Sequence, residues 1–96
     1  KGEAEILANL GNLYRQKGQK SLAINYLQQS LIAFRDIGST SNEGKVLVNL
    51  GLLYVENYQG YEGIIYLEEA ITKLHPDSPE FSQIAGVLQA VRQYRT

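Results

Sequence analysis

Residues 9–14 read NLGNLY and residues 49–54 read NLGLLY, one hexapeptide written twice with a single change, forty residues apart. A catalytic motif seldom needs duplication within 96 residues, whereas a unit that packs against copies of itself does. Displacing the sequence by forty pairs residues 3–34 with 43–74. Eleven of the thirty-two pairs are identical: Glu3/Glu43, Leu7/Leu47, Asn9/Asn49, Leu10/Leu50, Gly11/Gly51, Leu13/Leu53, Tyr14/Tyr54, Gln19/Gln59, Ile24/Ile64, Tyr26/Tyr66 and Leu27/Leu67. Ordinary residue usage gives about two or three by chance. Most matches are apolar and recur at helical spacing.

Each unit reads as two helices. Ile6, Leu7, Leu10, Leu13 and Tyr14 form the apolar stripe of the first, which QKGQK (16–20) ends, with Gly18 suited to a left-handed terminal residue. Ala23, Ile24, Leu27, Leu31 and Phe34 form the second stripe, running to Asp36. Gly38 stops it within GSTSNE (38–43), where Thr40 and Glu43 have capping-box spacing for a third helix over 43–57. A fourth spans 60–74, with Asn57 or Gly60 expected to supply the unusual backbone angles of the turn before it. HPDSP (75–79) breaks the chain, and Ser78 with Pro79 opens a fifth helix over 79–95. No segment shows sustained alternation of strand type.

Composition narrows function by exclusion. Nine basic residues against ten acidic ones leave a net charge of −1, too little to draw in nucleic acid or an anionic membrane. The absence of cysteine removes disulfides, thiol nucleophiles and thiolate metal sites. No apolar run approaches the ~18 residues that span a bilayer, and the opening KGEAEILANL lacks the apolar core of a signal peptide. The expectation is a cytoplasmic protein without cofactor or metal.

Leu7-x-x-Leu10-Gly11-x-x-Tyr14 followed by Ala23-x-x-x-Leu27 resembles the tetratricopeptide repeat, and Leu47-x-x-Leu50-Gly51-x-x-Tyr54 with Gly63-x-x-x-Leu67, Ala70 and Pro76 resembles it again. The forty-residue period is similar to the family's longer-period subtype. Gly11 and Gly51 lack a side chain where the second helix of each pair would cross the first. Ala23 and Gly63 are the small residues placed to receive that crossing. The resemblance implies one all-α domain over 1–96: a right-handed α-solenoid of two antiparallel helical hairpins (3–38 and 43–76) and a C-terminal capping helix (79–95). The helix is read as a cap because Ile84, Val87, Leu88 and Val91 best match Leu7, Leu10, Gly11 and Tyr14, which puts Leu88 where a crossing needs glycine. The opening GEAE looks like a repeat junction, so the chain reads as part of a longer array.

Such arrays bind a partner protein's peptide segment or amphipathic helix along a concave row made by the first helix of each pair. In register, this row carries Asn9, Asn12, Arg15 and Gln16, then Lys45, Val48, Asn49, Leu52 and Val55, then Gln89 and Arg92. Asn9 and Asn49 stand out, since a side-chain amide can pair with both groups of a peptide backbone. Val48, Leu52 and Val55 are expected to make the middle of the row apolar. One subtype grips a C-terminal carboxylate with basic residues; here Ala8, Ser82 and Gly86 stand in their places, and that mode is not expected. The alternative role is structural: a self-associating scaffold segment whose row is buried by another copy.

An enzyme is not expected. His75 is the only histidine and sits at a helix end, where bonding to the preceding carbonyls is its ordinary use. Asp77 lies two residues on, without a nucleophile or second acid placed by motif. Glu68 and Glu69 are adjacent on a helix and point about 100° apart.

Overall fold

The computed structural model describes residues 2–95, the side chains of 94 and 95 excepted; Lys1 and Thr96, included in the expected span 1–96, lie outside the described residues. Five helices follow one another: α1 (Glu3–Gln16), α2 (Lys20–Asp36), α3 (Thr40–Glu56), α4 (Gly60–Lys73) and α5 (Pro79–Arg95). No strand occurs among the described residues. The densest contacts lie within the pairs α1/α2 and α3/α4, then between α2 and α3, with α5 against α4 and α3.

The ends of α1, α2 and α3 are built alike. Gly18, Gly38 and Tyr58 each adopt positive φ, at 78°, 71° and 61°. After each, an amide reaches back five residues: Gln19 to the Tyr14 carbonyl at 2.9 Å, Ser39 to Phe34 at 3.0 Å and Gln59 to Tyr54 at 2.8 Å. This is the Schellman arrangement, which satisfies carbonyls a helix would otherwise leave bare. Neither Asn57 nor Gly60 supplies the left-handed residue, contrary to expectation. Asn57 has φ −93° and Gly60 is already in α4. Tyr58 takes the place forty residues from Gly18, at a cost of about 1–2 kcal/mol for a side chain in this conformation. Its ring is 98% exposed and meets no crowding there.

Helix α3 starts three residues before the expected 43. The capping box does not form: Thr40 is helical, Ser39 is the cap, and no side chain bonds the first-turn amides. Glu43 is occupied elsewhere, and the Ser39 hydroxyl accepts from Asn42 Nδ2 at 2.9 Å. At α5 the expected start holds, with the Phe81 amide donating to Ser78 Oγ at 3.2 Å.

Within each hairpin the glycine explains the close approach. A Cβ on Gly11 would stand 2.6 Å from Leu27 Cγ; one on Gly51 would stand 2.7 Å from Leu67 Cγ and 2.9 Å from the Gly63 carbonyl. All three distances are shorter than packing allows, so the buried leucine of the second helix occupies the missing side chain's place. Beside each crossing two tyrosines stack face to face, Tyr14 on Tyr26 (5.4 Å) and Tyr54 on Tyr66 (5.2 Å).

Polar bonds lock the hairpins together. Arg35 of α2 donates to Glu43 of α3 at 2.8 Å and also to Glu69 of α4; Lys73 stands 3.6 Å from the same Glu43 carboxylate, which is nearly buried. The Glu43 hydrogen bond, foremost, raises the Arg35 pKa against the opposing effect of burial. Gln28 of α2 donates to the Tyr54 hydroxyl at 2.9 Å and reaches that of Tyr66 at 3.4 Å. Between these bonds lies the core, in which Leu27, Leu47, Leu50, Leu53, Leu67 and Ile84 are wholly buried.

Two expected stripes are covered only in part. Ile6 and Leu13 of α1 remain 61% and 45% exposed, because no helix packs on that side of α1 as α2 packs on α3. On α5, Ile84 and Leu88 are buried while Val87 stays 36% exposed, since only the stripe toward α4 and α3 is covered.

Candidate partner-binding groove

Helices α1 and α3 bring the expected polar residues side by side. One depression is lined by Asn12, Arg15, Gln16 and Asn49. A second, sharing Asn12 and Asn49, continues along Glu5, Ala8, Asn9, Asn42 and Lys45 above a floor of Phe34 and Val46. Asn9, Gln16 and Lys45 are exposed; Asn12, Arg15 and Asn49 are half-buried.

Asn49 Nδ2 donates to Asn12 Oδ1 at 3.4 Å, a bond that joins the two helices in the row. It leaves the Asn12 amide N–H groups and the Asn49 carbonyl turned to other uses, a donor–acceptor pair of the kind an extended backbone requires. Asn9 makes no side-chain hydrogen bond among the described residues. Arg15 is held by Glu56 at 2.7 Å, and the Glu56 backbone carbonyl also receives Lys20 Nζ at 3.2 Å. This closes one end of the row with a neutralised pair rather than a free cation.

The apolar middle is corrected. Val48 is only 4% exposed and belongs to the core. Helix α3 has α2, α4 and α5 around it, which leaves little of its circumference to solvent. Leu52 is half-buried. Val55 is 45% exposed, but its Cγ2 lies against Gly63 of α4, 2.6 Å from where a Cβ there would be. The accessible row is therefore polar, with apolar carbon at its floor. Gln89 and Arg92 are exposed on α5, and neither lines the two depressions. Lys20 and Asn42 join the site without a sequence signal of their own, because both lie at helix starts outside the matched hexapeptides.

His75 is 74% exposed and accepts the Asp77 backbone amide at Nδ1, 3.1 Å away, instead of engaging the helix-end carbonyls. The bond closes a turn. Tyr54 has its pKa raised, chiefly by burial and then by Tyr66 through charge and hydrogen bonding. Among the described residues no helix is long and apolar enough to cross a membrane, and no group of three or more acidic, histidine or cysteine side chains could hold a metal ion. No protein-family model matches the chain, and no curated protein matches it significantly.

Proposed function

We propose that the chain is a segment of a right-handed α-solenoid of the tetratricopeptide type, non-enzymatic and cytoplasmic, which binds a peptide segment or helix of a partner protein along the α1–α3 row. The observation that carries this reading is the Asn12–Asn49 pair, two amides bonded across adjacent helices with a donor and an acceptor to spare. Exposed Asn9 and Lys45 on the same row extend the polar contact, and a net charge of −1 suits a protein ligand better than a nucleic acid. The test is affinity capture with the chain and with its Asn9→Ala/Asn12→Ala/Asn49→Ala variant, read by mass spectrometry. A defined set of proteins lost from the variant, with helicity unchanged, is the expected outcome. Identical captured sets would overturn it.

The second reading is self-association through the same row, favoured by the exposure of Val55 and the half-exposed Leu52 at its far end. Light scattering after size exclusion separates the two. A dimer dispersed by Leu52→Glu supports the second reading, and a monomer at high concentration excludes it.

A further inference from the structure

The turns inside the two hairpins occupy equivalent places and carry opposite charge. Residues 16–22 read QKGQKSL, with Lys17 and Lys20; residues 56–62 read ENYQGYE, with Glu56 and Glu62. Gly18 of the first turn is replaced by Tyr58 in the second, and Ser21 by Tyr61. Tyr58 holds the strained positive φ with its ring 98% exposed, so no packing inside the molecule offsets the strain. Tyr61 is 77% exposed. Gly18 and Ser21 are exposed too, although a second hairpin packs beyond them. Exposure at these positions is therefore a property of the turn and does not depend on a further hairpin being absent.

Tyr58, Gly60, Tyr61 and Ile64 line an open depression that shares no residue with those of the α1–α3 row. A Cβ on Gly60 would meet nothing within 4 Å, so the glycine leaves space there. In the first repeat a turn lysine already meets a tyrosine: Lys17 Nζ stands 5.9 Å from the centroid of the Tyr14 ring. The second repeat has Asn57 in that place and no basic residue in its turn. Arg15 and Lys20, the cations that reach this end of α3, are both engaged by Glu56. Glu62 has no ion-pair partner among the described residues. The last turn of α3 holds no basic residue, unlike those of α1, α2 and α4.

Exposed aromatic faces, a carboxylate without a partner and the negative end of a helix are together complementary to a cation. An open depression suits the planar guanidinium, which is weakly hydrated and stacks on rings, better than a compact and strongly hydrated ammonium. We propose that the α3–α4 turn binds an arginine side chain on an exposed segment of a partner protein, its guanidinium over the Tyr58 and Tyr61 rings and paired with Glu62. The turn thus reads a basic residue of the partner, outside the row.

The probe is a capped GRGRG peptide, with GKGKG as its counterpart, titrated into the isotope-labelled full chain and followed by amide chemical shifts. Saturable shifts confined to residues 57–64 are expected, with the arginine peptide binding more tightly than the lysine one. Tyr58→Gly, which copies the first repeat, weakens binding about two- to fivefold. The same variant unfolds at no lower a urea concentration than the unmodified chain, because glycine takes the positive φ without strain. Loss of affinity without loss of stability separates a binding role from a structural one. Glu62→Gln weakens binding as well and makes it less dependent on salt. Absence of shifts at the turn overturns the proposal, as does equal affinity for the two peptides or binding indifferent to Tyr58→Gly. Dimerisation of the unmodified chain that Tyr58→Gly abolishes would also overturn it, by assigning the turn to a second copy.

Discussion

Leu7, Leu10 and Leu13 of the first repeat are the same residues, at the same spacing, as Leu47, Leu50 and Leu53 of the second. The second set is wholly buried and the first is half-buried or exposed. Glu3 and Glu43 diverge in the same way, one exposed and without an ion-pair partner among the described residues, the other nearly buried between Arg35 and Lys73. Identical sequence therefore carries unequal energy. The stripe states what a helix can bury, and the neighbouring helix decides whether it does.

The sharpest way to break this comparison is to truncate matched leucines. Leu53→Ala opens a cavity at a site of zero exposure and is expected to cost about 2–5 kcal/mol. Leu13→Ala removes atoms already 45% in water and is expected to cost less than about 1 kcal/mol. Urea unfolding of both variants measures the difference. Equal losses would mean that the first repeat is covered in solution.

The acidic pair gives a smaller contrast of the same kind. Glu43→Gln leaves Arg35 and Lys73 facing a neutral amide at a site where the carboxylate side chain is 8% exposed, for a cost of about 1–2 kcal/mol. Arg35 keeps Glu69 and partial solvent access, which limits the loss. Glu3→Gln, with no partner among the described residues to abandon, is expected to stay within about 0.5 kcal/mol by the same unfolding measurement. If the two losses match, the cluster is not what joins the hairpins.

Much of this architecture was legible in the chain because the forty-residue shift writes it twice. Two glycine crossings, the paired stripes and the Ser78–Pro79 start all follow from local rules. The misses share a cause. Thr40 and Glu43 have capping-box spacing, but Arg35 from another helix draws the nearly buried carboxylate away from the local backbone. Val48 has the register of a groove residue, yet α3 is enclosed by three helices and the valine turns out to be core. Tyr58 hid the left-handed position because tyrosine rarely adopts it; only the match to Gly18 could have disclosed it. The row's amides were readable from position alone, whereas the Asn12–Asn49 bond and the Arg15–Glu56 closure depend on a distance between helices that no single-helix pattern encodes.

The smallest expected effect concerns the second repeat's stacked tyrosines. Tyr54 holds its proton more tightly in the fold than in the unfolded chain, because burial disfavours the phenolate and Tyr66 adds to the effect. As pH rises past the ordinary phenol value of about 10, the unfolded chain loses this proton first. The unfolded state then binds fewer protons than the native one, so stability falls with rising pH. The contribution is whole below the ordinary value and is lost as pH climbs through the raised one. Tyr54→Phe removes the titration and also the hydrogen bond from Gln28. Loss of that bond lowers stability by a constant amount, whereas loss of the titration flattens the decline above about pH 10. Urea unfolding at several pH values separates offset from slope. A uniformly less stable variant with an unchanged slope would leave the Gln28 bond in place as the link between repeats and remove the buried phenol from the account.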